Sequence, residues 1–122
     1  MGKIQDIEHA RKFGYGYFEV NYPFALAEKH LLLVREGDKY VERVPVKHEN
    51  LDPVDKNCKC ETCTRHCESY IAHLIECHEM TANVLINIHN LHVYMEYLAS
   101  FEWTVFTYLW LMFLFIYFYV FL

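Results

Sequence analysis

The sequence predicts a small α/β chain built around a cysteine knuckle, and three observations lead there. Residues 5–20 read as a helix, a glycine and a short strand; Cys58, Cys60 and Cys63 form C-x-C-x2-C ahead of two amphipathic helical stretches; and 103–122 carry no charge at all. A chain of 122 residues has room for one small domain at most. Its formal net charge of −5 excludes a chain that grips nucleic acid through its own strongly basic surface. No apolar h-region follows Met1, so nothing reads as a secretory signal. With five cysteines, an odd number, thiolate chemistry in a reducing compartment outranks a disulfide framework.

Each element has its own signal. In "QDIEHARKF" (5–13), Ile7, Ala10 and Phe13 share one helical face, and Gly14 is placed to stop the helix. "YGYFEV" (15–20) is rich in aromatics and Val, as a strand requires, and Pro23 closes it. One helix–strand unit is a single repeat of an α/β architecture and cannot close a sheet or a barrel. In 30–46, two apolar runs flank "EGD", which predicts a hairpin. "HENLDPVDKN" (48–57) is loop by composition. Residues 64–79 predict a helix carrying Tyr70, Ile71, Leu74, Ile75 and His78. Residues 81–100 predict a second, with Val84, Leu85, Ile88, Leu91, Met95 and Leu98 along its apolar side.

Three thiols within six positions converge on one ion without a long loop closure, and a tetrahedral zinc site needs four ligands. Their neighbours are Lys, Glu, Asn and Thr, a polar setting that separates them from ordinary buried cysteines. Redox chemistry of the thioredoxin type would place C-x2-C at a helix start after a strand, without a third cysteine. The spacing does not choose the fourth ligand. His66 lies too near Cys63 to fold back, while His73, His78, His89, His92, Cys67 and Cys77 all stay open.

The stretch "CKCETC", with the His of "LINIHNLHVY" 26 residues beyond its last Cys, resembles the zinc subdomain of the tRNA-guanine transglycosylases. "SYIAHLIECHEMTANVLINIHN" resembles that family's helical stretch. "MGKIQDIEHARKFGYGYFEVNYP" resembles the last part of its TIM-type barrel, and "LDPVDKNCKCETC" its approach to the zinc. The resemblance covers about residues 1–101. It implies the C-terminal piece of a TIM-type (β/α)8 barrel over 1–29, with the earlier barrel strands belonging before Met1. It further implies a zinc subdomain of short strands and two helices over 30–101, then an apolar helix-like tail over 102–122. On the same resemblance the ligands of one structural Zn2+ are Cys58, Cys60, Cys63 and His89.

The family exchanges a guanine in the tRNA anticodon for a modified base, queuine in eukaryotes, through an Asp nucleophile in "F-D-x-x-x-P-T-R". Here the segment reads "FEVNYPFALAEK", with Glu19 in the nucleophile's place and Phe24-Ala25 where Thr-Arg is expected. One extra methylene displaces the carboxylate by about a bond length, enough to spoil an attack geometry. The resemblance therefore implies a non-catalytic accessory subunit with no catalytic residue of its own. Its expected partner is the catalytic subunit, in a heterodimer that modifies tRNA. The alternatives are a catalytic fragment using Glu19 and an unrelated zinc-stabilised module with a membrane tail. Glu68 stands where the family has an Arg, a charge reversal expected to lose or repel that Arg's contact beside the zinc.

The twenty uncharged residues 103–122 would span ~30 Å as a helix, long enough for a bilayer. That makes a C-terminal anchor one reading, and a cytoplasmic location at the mitochondrial outer membrane or another membrane its corollary. No Lys or Arg follows Arg65 to flank a selected anchor, which favours a divergent tail such as translated uracil-rich, non-coding message.

Overall fold

The computed structural model describes residues 3–15 and 18–121, and for 101–109 and 120–121 the backbone alone. In chain order the elements are α1 (Ile4–Lys12), α2 (Tyr22–Glu28), β1 (Leu32–Glu36), β2 (Lys39–Arg43), α3 (Glu61–Arg65), α4 (Glu68–Glu76) and α5 (Met80–Phe121). α2, β1, α3 and α4 pack directly against α5, and β2 pairs with β1, so the long helix is the spine of the fold.

α1 forms where the periodicity predicts it. It ends at Gly14, whose φ of +89° is left-handed and suits a residue without Cβ. Its buried face is Ile4 and Ile7, joined to α5 by the Tyr97 hydroxyl donating to Ile4 O at 3.3 Å. Phe13, expected on that face, is instead 71% exposed and stacks edge-on against His9.

No strand forms at Phe18–Val20, contrary to the sequence reading. Gly16 and Tyr17 lie outside the described residues. A strand needs a partner for its backbone groups, and among the described residues none pairs with this segment. Phe18 and Val20 pack against the core as irregular chain. No barrel is visible either: among the described residues the sheet is one antiparallel pair, β1–β2. Pro23, read as the end of a strand, opens α2 instead. Its missing N–H costs nothing at the start of a helix, and Leu26 and Ala27 bury the helix against the core.

The hairpin forms as predicted. Glu36 pairs with Lys39 across Gly37-Asp38, and Gly37 takes φ +63° at the first central position. Leu32, Leu33 and Val34 are buried consecutively, because α2 and α5 both pack on this strand. The edge of β1 away from β2 would be bare backbone. Instead α5 closes it with side chains: Asn90 Oδ1 accepts from Leu33 N–H at 2.8 Å, and His89 Nε2 lies 3.0 Å from Leu33 O. Asn90 Nδ2 also donates to Leu31 O at 2.9 Å and to Pro23 O at 3.4 Å.

The single helix expected over 64–79 is two helices, broken at His66 and Cys67, which are both extended. The break has a cause. Glu68 N–H leaves the helical ladder to donate to Asp52 O at 2.9 Å, turning the Glu68 side chain toward β2. α4 ends at His78, whose φ of 55° lets Glu79 N–H return to Leu74 O at 3.0 Å and reverses the chain into α5.

α5 buries a face that shares only Leu85 and Leu98 with the expected one. Ala82, Leu85, Ile86, His89, Asn90, Val93, Tyr94 and Tyr97 face the core, whereas Val84, Ile88, Leu91 and Met95 are exposed. The helix has apolar residues on more than one side. The side that wins is the one whose His89 and Asn90 satisfy β1. The helix runs on through the tail to Phe121, and residues 110–119 are exposed all round. Among the described residues no helix is long and apolar enough to cross a membrane. The span expected over 102–122 falls largely on side chains outside them.

Candidate metal centre

The loop before α3 delivers the cysteines to the core. Cys60 caps α3 through its own sulfur, which accepts from Cys63 N–H at 3.3 Å and sets both thiols on the inner side of the first turn. Thr62, fully buried between them, donates to Leu85 O at 2.7 Å and locks α3 onto α5 one turn before His89. Cys58 arrives from the preceding turn, where its N–H donates to Asp55 O at 3.3 Å.

These constraints bring Cys58, Cys60, Cys63 and His89 together, all buried, with their ligand atoms within 4.8 Å of one another. His89 Nδ1 lies 3.7, 3.5 and 3.2 Å from the sulfurs of Cys58, Cys60 and Cys63. With Zn–S of about 2.3 Å and Zn–N of about 2.0–2.1 Å, a tetrahedral site has an N···S edge of about 3.5 Å. The three distances bracket that edge. Leu33 O accepts from Nε2–H, so once Nδ1 has lost its proton its lone pair faces the thiols, and the ring is fixed as a ligand's partner should fix it. The buried Cys3His group can bind one zinc ion.

The protons of the metal-free cluster are shared unequally. The hydrogen bond from Cys63, aided by His89, holds the Cys60 thiol down at about 3 against the opposing effect of burial. The Cys63 thiol is pushed far up by that same hydrogen bond and by burial. Burial disfavours a charged His89, but its contacts with Cys58 and Cys60 prevail and raise it to about 9. Buried negative sulfur beside a buried proton is the electrostatic state that a cation relieves. A cleft of about 170 Å3, lined by Arg35, Tyr40, Asp55, Asn57 and Glu96 among others, reaches Cys58.

The other histidines and cysteines left open by spacing lie elsewhere: His92 sits 3.2 Å from Glu96, His73 contacts Cys77 on the exposed side of α4, Cys67 stands at the N-cap of that helix and His78 in the turn after it. His66 stacks on Tyr70.

Glu68, which stands where the resemblance expects an Arg, has partners of its own. Its buried carboxylate forms a two-point ion pair with Arg43, at 3.0 Å for Nη2–Oε2, and accepts from Val46 N–H at 2.9 Å. Burial alone would raise the Glu68 carboxyl, but the hydrogen bonds from Arg43 and Val46, with the nearby charges, hold it below its usual value. The pair ties β2 and the following segment to the start of α4 beside the cysteine loop, where Arg43 also donates to Val54 O. Glu19, which the resemblance puts in the nucleophile's place, is exposed in irregular chain. Sequence reasoning missed Asn90 and Thr62 as organisers. The "HN" pair was visible, but the strand edge that it serves was not.

Comparisons with known proteins agree with this geometry. The family model described as queuine tRNA-ribosyltransferase matches residues 1–102. The queuine tRNA-ribosyltransferase of Helicobacter acinonychis (strain Sheeba) is 32% identical over 96 residues, 79% of this chain and 26% of that protein. That of Chlamydia abortus (strain DSM 27085 / S26/3) is 31% identical over 101 residues, 82% of this chain and 27% of that protein. That of Thioalkalivibrio sulfidiphilus (strain HL-EbGR7) is 33% identical over 94 residues, 77% of this chain and 25% of that protein. The chain thus spans about a quarter of the length of these curated relatives. With most of its length matched and a Cys3His group assembled where the resemblance puts it, the chain belongs to the queuine tRNA-ribosyltransferase family.

Proposed function

We propose that this chain serves queuosine modification of tRNA as the C-terminal part of a non-catalytic accessory subunit. It comprises a barrel-derived segment (1–29), a zinc-braced subdomain (30–101) and an apolar tail (102–122). Cys58, Cys60, Cys63 and His89 hold one structural zinc ion. Four buried donors leave no open position for substrate, which suits a brace more than a reaction centre. The observation that carries the accessory reading is Glu19: longer than the nucleophilic Asp by a methylene, exposed, and followed by Phe24-Ala25 in place of Thr-Arg.

The partner is the catalytic subunit, and tRNA is met through that complex. Supporting this, Val84, Ile88, Leu91 and Met95 form an apolar row along α5 at four- and three-residue spacing, exposed on the side away from the metal centre. The compartment is the cytoplasm. Exposed residues 110–119 are the part of the tail through which the chain would meet the mitochondrial outer membrane or another bilayer.

A second reading is favoured by the names of the relatives, all queuine tRNA-ribosyltransferases: a catalytic-type segment that uses Glu19. Incorporation of labelled guanine into tRNA separates the two. The chain alone should be inactive, and in complex with a catalytic subunit Glu19→Gln should change the rate by less than about twofold. Activity of the chain alone that Glu19→Gln abolishes would sink the accessory reading.

A further inference from the structure

His73 and Cys77 are used by nothing described so far. They stand four residues apart near the end of α4, so both side chains rise from one helical face. His73 Nε2 lies 3.5 Å from Cys77 Sγ, and both residues are exposed. That distance again equals the tetrahedral N···S edge of about 3.5 Å set by ordinary Zn–N and Zn–S bonds. Two donors at i and i+4 on one helix face are a known way to chelate an ion without folding a loop round it.

The surroundings favour positive charge. The site is at the C-terminal end of α4, the negative end of the helix dipole. Glu76 adds a carboxylate on the same turn, held below its usual range by its hydrogen bond with Lys47. Its ion pair with Lys47 is fully at the surface and readily exchanged. Among the described residues no third His, Cys, Asp or Glu closes the site. Water or an external donor would fill the other positions, unlike the closed Cys3His centre.

We propose that His73 Nε2 and Cys77 Sγ form a second, solvent-open site for a borderline-to-soft transition cation of the zinc class. It binds more weakly than the buried centre, because two exposed donors replace four buried ones. The ion exchanges with solvent and stays accessible to a further ligand.

The test uses the full chain with its buried centre already zinc-loaded and Zn2+ as the probe. Alkylation of Cys77 by iodoacetamide is followed by peptide mass, because a thiolate bound to metal is protected. Excess Zn2+ should slow Cys77 alkylation about tenfold or more in the wild type and about twofold or less in His73→Ala. Cys67, only partly exposed, serves as an internal reference for general zinc effects. Both positions are at the surface, so His73→Ala leaves the fold intact, which circular dichroism checks. A smaller slowing in the wild type, or the same slowing in His73→Ala, overturns the proposal.

Discussion

Replacing Asn90 by Ala removes three hydrogen bonds at once, to Leu33 N–H, Leu31 O and Pro23 O. The consequences differ among these partners. Leu33 is 1% exposed, so water cannot reach its N–H, and a buried group left without a partner costs about 1–3 kcal/mol. Leu31 is half-buried, so its carbonyl recovers part of its loss from solvent. Together with the space left behind, the substitution should destabilise the chain by about 2–4 kcal/mol. That is a large share of the 5–15 kcal/mol typical of a folded domain. The assay is urea unfolding of the zinc-loaded chain. At a slope of about 1.5 kcal/mol/M the midpoint should fall by about 1.3–2.7 M. Asn83→Ala is the control: Asn83 Oδ1 has no partner among the described residues, so its loss should matter by less than about 1 kcal/mol. If Asn90→Ala costs no more than Asn83→Ala, side-chain closure of the β1 edge is not what seats α5.

The other predictions concern charge. Glu68→Gln should cost about 2–3 kcal/mol, below the 3–5 kcal/mol of a wholly buried pair because Arg43 is 28% exposed and regains water; a loss under about 1 kcal/mol would rule out an anchoring role. The Glu68 carboxyl is depressed in the folded chain, so its contribution is present above the ordinary value of 4.5 and is lost as pH falls through the depressed one. Acid unfolding of the wild type should therefore carry a step in that range that Glu68→Gln lacks. Zinc binding expels the protons held on Cys63 and on His89, the latter at about 9. Apparent zinc affinity should then rise with pH, about tenfold per unit for each proton released, when titrated against a chelator of known affinity. A flat profile below pH 8 would mean that the ligands are already free of protons.

Local signals made much of the fold legible. Gly14, Gly37-Asp38 and the three crowded thiols each impose a short-range geometry, and α1, the hairpin and the cysteine knuckle form where those residues stand. What could not be read locally depended on distant partners. The helix break at His66–Cys67 exists because Asp52 takes the Glu68 N–H and Arg43 its carboxylate, and neither lies within a turn of it. The buried face of α5 was misjudged for a related reason: apolar periodicity counts Val84, Ile88, Leu91 and Met95 as core. The polar pair His89–Asn90 decides the orientation by satisfying a strand more than fifty residues away. Choosing His89 among several histidines likewise needed the family pattern, since spacing does not show that Leu33 O waits for its Nε2–H.

X-ray absorption at the zinc edge of the purified chain tests the metal centre most directly. One zinc per chain with three sulfurs at about 2.3 Å and one nitrogen at about 2.0–2.1 Å is the predicted shell, with the nitrogen lost in His89→Ala. A shell of fewer than three sulfurs, or one that keeps its nitrogen unchanged in His89→Ala, would contradict it.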